Sequence, residues 1–296
     1  MRTRREESAN YSSVFINGKT LRMPIDKNKT ITELRFPEFY DVAINNRCYG
    51  NCVKYCYTSA MSTGKNFDNI IGKIRSFFGR KNKNEICYQV ALGGAGESTI
   101  HPEFIDVLKT FKELDIVPNY TTNGMHLSDK VIEATKKYCG GVALTLHRHL
   151  EFHWRKGITT LINNNIKTNV HIIISDQESI DFLNKIYQDY HGKIDYFVLL
   201  PYKNTGFAAN NPKDIDYDYF KIWMDKYHKN SDLALGANFY SWILKYKEHY
   251  DFSIYPPEIF SKYIIMDDDM KVYNNSFDLI ERKYNNVEGI EILDNA

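Results

Sequence analysis

Short apolar runs alternate with helical patterns along most of the chain. Residues 40–44, 88–92, 116–120, 142–146, 169–174 and 196–200 are each almost unbroken apolar segments of strand length. Between them apolar positions recur every three to four residues. Phe67, Ile70, Ile71, Ile74, Phe77 and Phe78 predict a helix over 66–78. Phe104, Ile105, Val107, Leu108, Phe111 and Leu114 predict the next, with Pro102 in its first turn. Further helices are expected over 128–138, around Trp154 to Ile162, over 179–190 and over 214–228. Six strand-then-helix units in series predict an α/β fold with a parallel sheet and helices outside. Strands this apolar are expected to be covered on both faces. Curled into a partial TIM barrel of (β/α)6 type, such a sheet collects its strand-end loops on one face, where functional residues gather.

The ends of the chain depart from this rhythm. Within residues 1–35, Asn17-Gly18 lies between two short runs and predicts a two-residue hairpin. The barrel is expected over 36–230, with 201–213 as its longest loop. A C-terminal extension over 231–296 is expected to hold a strand at 233–239, a helix at 241–247 and a hairpin made by 263–266 and 271–274. At 296 residues the chain can hold one large domain or two small ones.

Charge and cysteine use narrow the function classes. The formal net charge is +1, so nothing points to a nucleic-acid partner. No run of about 18 apolar residues predicts a membrane span, and the charged N-terminus has no apolar stretch behind it to form a secretory signal. Five cysteines without such a signal read as thiols in a reducing, cytoplasmic setting.

Three of the five, Cys48, Cys52 and Cys56, fall within nine residues directly after the first barrel strand. Their spacing of four could place them on one helix face as core thiols. Asn45, Asn46, Gly50 and Asn51 are poor helix formers, however, so a loop is expected. Three thiols can hold a metal and leave one position open; in an iron–sulfur cluster they would leave one iron for another ligand. The second strand runs into GGAGES, where Gly93, Gly94 and Gly96 allow a ligand close to the backbone and Glu97 offers a carboxylate to an ammonium group. The third strand ends in Thr121, Thr122, Asn123 and Gly124, which also suit an ordinary turn.

Together these motifs resemble the radical S-adenosylmethionine superfamily, over about residues 38–210. The phrases YTTNGM and YFVLLPY are similar to those of a single-cluster subgroup. The resemblance implies a 4Fe–4S cluster on Cys48, Cys52 and Cys56, with the fourth iron binding S-adenosyl-L-methionine. Reductive cleavage would then give a 5′-deoxyadenosyl radical that abstracts hydrogen from a substrate the sequence does not identify. It implies an electron donor such as flavodoxin or ferredoxin. It also implies cofactor contacts from Tyr55, Gly93, Gly94, Gly96, Glu97, Thr122, Asn123, Thr145, Ile173 and Leu200. The family's common spacing is C-x3-C-x2-C, whereas this chain reads C-x3-C-x3-C, as though one residue were inserted near Val53-Lys54. No cysteine follows Cys139, so a single cluster is expected, with Cys87 and Cys139 as buried thiols.

His147, His149 and His153 follow the fourth strand and are expected at the substrate mouth with Tyr202 and Lys203, where His147, His149 and Tyr202 are candidate catalytic groups. They also leave open a zinc- or iron-dependent barrel hydrolase. A binding module with the cysteines as a structural metal clip is the remaining alternative.

Overall fold

The computed structural model describes residues 1–52, 54–79, 86–236, 239–250 and 259–276. In chain order the N-terminal strands are β1 (Arg2–Glu6), β2 (Tyr11–Ile16) and β3 (Lys19–Pro24). They are followed by β4 (Phe39–Ala43), α1 (Ile70–Phe78), β5 (Gln89–Leu92), α2 (Phe104–Glu113), β6 (Val117–Thr122) and α3 (Asp129–Tyr138). Next come β7 (Gly141–Thr145), α4 (Glu151–Asn163), β8 (Thr168–Ile174), α5 (Gln177–Tyr190), β9 (Tyr196–Pro201) and α6 (Tyr217–Tyr227). The described chain ends with β10 (Leu233–Leu235), α7 (Tyr240–Tyr250), β11 (Ser261–Ile265) and β12 (Val272–Tyr273).

The main sheet has nine strands in the order β10-β9-β8-β7-β6-β5-β4-β11-β12. Every neighbouring pair is parallel except β11 with β12. The six expected strand–helix units are β4 to β9 with their crossovers, so the partial-barrel class holds. Three helices, α3, α5 and α6, start at capping side chains: Ser128 accepts from the Val131 N–H, Asp176 from Ser179 and Asp216 from Tyr219. Pro102 lies two residues ahead of α2, in the turn that leads into it.

One expectation needs correcting. The strands are not uniformly apolar on both faces. On β6, Pro118, Tyr120 and Thr122 are buried, while Val117, Asn119 and Thr121 are only partly so. The outer residues pack under the helices, as Tyr40 does against Phe77 and Phe78. The inner face carries Asp41, Thr145 and His171, because the curled sheet encloses a cavity there rather than a packed centre.

The Asn17-Gly18 hairpin forms as expected, with Ile16 opposite Lys19 and both turn residues at positive φ (50° and 76°). β1 was not expected from its charged sequence. Arg4 and Glu6 are buried there because they pair at 2.6 Å, and Arg4 also donates to the Ile86 carbonyl. This three-stranded sheet meets the barrel at the beginnings of β4 and β5. Phe15 stacks on Tyr88 at 5.0 Å, and Tyr11 and Arg22 bind the buried Glu38 carboxylate. It therefore covers the end opposite the strand-end loops.

The expected C-terminal hairpin also forms, and β11 extends the main sheet by pairing along β4 from Phe39 to Ala43. Parts of the C-terminal extension, 237–238, 251–258 and 277–296, lie outside the described residues.

Candidate active site

The cysteine loop spans the gap between β4 and α1 and is closed by its own backbone. Asn46 N–H donates to Lys65 O, Cys48 N–H to Met61 O and Phe67 N–H to Ile44 O, each at 3.0–3.1 Å. Within it the Cys52 carbonyl accepts from the N–H groups of Tyr55 (3.0 Å) and Cys56 (2.9 Å). These two bonds bring the Cys56 backbone back against that of Cys52. Val53, half of the expected insertion point, lies outside the described residues.

Each of the three sulfurs has a nitrogen neighbour. Cys48 Sγ accepts from Gly50 N–H at 3.3 Å and Asn123 Nδ2 at 3.7 Å, and Cys56 Sγ from Ala60 N–H at 3.3 Å. His149 Nε2 stands 3.6 Å from Cys52 Sγ and donates to the Gly50 carbonyl at 2.9 Å. Burial pushes the Cys48 thiol up to about 11 and the Cys52 thiol up to about 12. A bound cation would displace the thiol protons.

The loop after β5 adjoins this one. Glu97 N–H donates to Arg47 O at 2.8 Å, and Asn45 Nδ2 donates back to Glu97 O at 2.9 Å. The buried Glu97 carboxylate accepts from Asn123 N–H at 2.8 Å and Thr99 Oγ1 at 2.6 Å. Glu97 thereby ties the ends of β4, β5 and β6 together, with acceptor capacity left for an ammonium group. Gly94 (φ +85°) has no room for a side chain, since a Cβ there would lie 2.6 Å from the Tyr263 ring.

Cys48, Cys52, Cys56, Tyr55, Gly93, Gly94, Gly96, Glu97, Thr122, Asn123, Thr145, Ile173, Leu200, His147 and Tyr202 line one cavity of about 440 Å³. Thr122 Oγ1 caps the local turn by accepting from Gly124 N–H. A second cavity of about 250 Å³ shares Tyr55, His147, Ile173 and Tyr202 with the first and is also bordered by His149. His147 is driven down to about 4 by burial, then by His149, so it is neutral near pH 7. Tyr202 donates to the Asn211 carbonyl at 3.0 Å, bracing the 201–213 loop.

The histidine-metal alternative is not supported. His153 lines neither cavity. Among the described residues no three His, Cys, Asp or Glu side chains are placed to hold a single metal ion. The irons of a four-iron cluster stand apart, so its thiolates need not converge on one point. Cys87 is buried, and Cys139 is half-buried.

Sequence reasoning missed Asp41, Tyr57 and His171, which line the same cavity. A signal existed for two of them: Asp41 and His171 each interrupt an apolar strand, in FYDVA and TNVHIII.

The curled parallel sheet with helices outside is a fold shared with solved structures. Among solved structures, Streptococcus suis SuiB bound to its precursor peptide SuiA matches 86% of the chain at 17% identity, with a TM-score of 0.62. SuiB bound to S-adenosylmethionine matches 86% at 16% identity and 0.60. The chain spans 66% of the length of SuiB in the peptide complex and 67% in the other. The structure of anSMEcpe with bound S-adenosylmethionine matches 84% of the chain and 74% of its own length, at 13% identity and 0.56. No family model and no curated protein matches the sequence. No helix among the described residues is long and apolar enough to cross a membrane.

Proposed function

We propose that the protein is a radical S-adenosylmethionine enzyme with one 4Fe–4S cluster on Cys48, Cys52 and Cys56. The observation that carries this reading is the three-thiol loop, each sulfur with a nitrogen neighbour, on the same cavity wall as Glu97. When bound, the cluster supplies the electron that cleaves S-adenosylmethionine to methionine and a 5′-deoxyadenosyl radical. The chain's own residues bind and orient. Gly93, Gly94 and Gly96 admit the methionine part of the cofactor close to the backbone, and the Glu97 carboxylate takes its ammonium group. Thr145 offers a hydroxyl to the ribose. Tyr55, Ile173, Leu200 and Tyr202 wall the adenine toward the smaller cavity. His147 stands where the two cavities meet, as neutral imidazole able to accept or donate a hydrogen bond, and His149 borders the smaller one against the cysteine loop. The substrate occupies the remaining cavity, and enclosing it there keeps water from the radical. A flavodoxin or ferredoxin in the cytoplasm is the proposed electron source.

Anaerobic reconstitution with iron and sulfide tests the reading. Wild-type protein should turn brown and form 5′-deoxyadenosine with dithionite, and Cys48→Ala, Cys52→Ala and Cys56→Ala should each lose both properties. A wild-type protein that takes up no cluster and forms no 5′-deoxyadenosine would sink it. About one zinc per chain without acid-labile sulfide would favour a metal hydrolase or a structural clip instead.

A further inference from the structure

His149 makes a contact with the cysteine loop that substrate binding does not explain. It lies in the turn between β7 and α4 and borders the smaller cavity, not the larger one that Glu97 lines. Its ring is exposed, so core packing does not account for its position. Yet its Nε2 stands 2.9 Å from the Gly50 carbonyl oxygen and 3.6 Å from Cys52 Sγ. A carbonyl oxygen only accepts, so Nε2 carries the hydrogen in this contact. That makes the nitrogen a donor and closes it to iron. A single N–H can divide between two acceptors, here oxygen and sulfur.

The carbonyl it holds belongs to the residue that backs two of the three sulfurs. Gly50 N–H donates to Cys48 Sγ at 3.3 Å. A Cβ on Gly50 would stand 3.3 Å from Cys48 Sγ, 3.4 Å from Cys52 Sγ and 3.2 Å from Asn123 Nδ2. Glycine thus lets the backbone run close to both sulfurs. By fixing the Gly50 carbonyl, His149 also fixes the N–H that Gly50 turns on Cys48, while its own N–H faces Cys52. One side chain from the end of the fourth barrel strand therefore acts on two of the three thiols.

A sulfur bound to iron accepts hydrogen bonds, and such bonds help to set the reduction potential of an iron–sulfur cluster. The reduced cluster carries one more negative charge than the oxidised one, so a donor at its sulfur stabilises the reduced form more. We propose that His149 is a positioning residue of the cluster, its Nε2–H bracing Gly50 and donating to the Cys52 thiolate, and that it raises the cluster's reduction potential. The proposal rests on the radical S-adenosylmethionine reading above and gives His149 a role on the iron–sulfur loop instead of on the substrate.

Protein containing histidine with a heavy-nitrogen label in its ring is reconstituted anaerobically, reduced and read by pulsed electron paramagnetic resonance. A weak ring-nitrogen coupling should be present in the wild type and absent from His149→Phe, which keeps a ring beside Tyr55 but has no N–H. In a redox titration the cluster of His149→Phe should be reduced at a more negative potential than that of the wild type. His149→Gln, whose amide still donates, should recover most of that shift. The Phe variant should also release iron to a chelator at least about tenfold faster. No coupling in the wild type, a coupling as large as direct iron ligation gives, or an unchanged potential in His149→Phe each overturns the proposal. The wild-type coupling decides even if neither variant takes up a cluster. Cluster content and 5′-deoxyadenosine are read from the same wild-type preparation. If both are present without the coupling, the role of His149 alone falls; if neither forms, the radical reading falls and this proposal with it.

Discussion

Gly96 shows how little latitude a residue at this site has. A Cβ there would come within 2.5 Å of Asn45 Oδ1 and 2.6 Å of the Arg47 carbonyl, so backbone as well as side chain would have to move. Gly96→Ala is expected to cost about 1–3 kcal/mol in a urea denaturation curve. It should also lower cluster uptake, because Arg47 and Asn45 anchor Glu97 to the start of the cysteine loop. The glycines and Glu97 were legible in the sequence because few other residue types suit that chemistry. Asp41 and His171 were passed over because a lone polar residue in an apolar strand has no partner in sequence. Theirs, Lys203, is contributed from beyond the other end of the barrel.

Among the elements, α5 and the long loop after β9 are joined by one side chain. Asp176 caps α5 by accepting from Ser179 N–H at 3.1 Å, and its other oxygen binds Lys213 Nζ at 2.5 Å. Its carboxyl is lowered through those hydrogen bonds, although burial acts the other way. Asp176→Ala should cost about 1 kcal/mol through the lost cap. It should also raise hydrogen exchange across 201–213, the loop that carries Tyr202 and Lys203. If exchange there is unchanged, Lys213 does not hold the loop. The N-terminal sheet depends on a similar link. Glu38 is 1% exposed and is bound by Tyr11 and Arg22. Arg22→Met would leave that carboxylate without its cation, at a cost of about 3 kcal/mol in chemical denaturation.

Across the whole molecule the titratable groups that line the cavity contribute to the response to pH. His147 and His171 are both driven down to about 4 in the fold, against an unfolded value of about 6.5. Below about 6.5 the unfolded chain takes up protons that the folded one does not, so stability present above that value is lost as pH falls toward 4. Asp41, raised to about 6, works in the opposite sense between its unfolded value and 6. The net expectation is a urea midpoint that falls between about pH 7 and about pH 5, with a shallower fall in His171→Asn. A midpoint that does not fall over that range would mean these histidines are not held neutral.

The order of strands and helices, the parallel sheet, the Asn17-Gly18 hairpin and the cysteine, glycine and Glu97 motifs were written in the sequence alone. Each rests on local physics: hydrophobic period, turn chemistry, and the few residue types able to offer thiolate, open backbone or carboxylate. The tertiary structure decided what depends on contacts between distant segments. It paired β11 with β4, buried Arg4 and Glu6 of β1 as an ion pair, and closed Cys56 N–H onto the Cys52 carbonyl. It also brought Asp41 and Lys203 to one cavity. Curvature of the sheet determines that meeting, and curvature is summed over many strand pairs rather than encoded in any one of them.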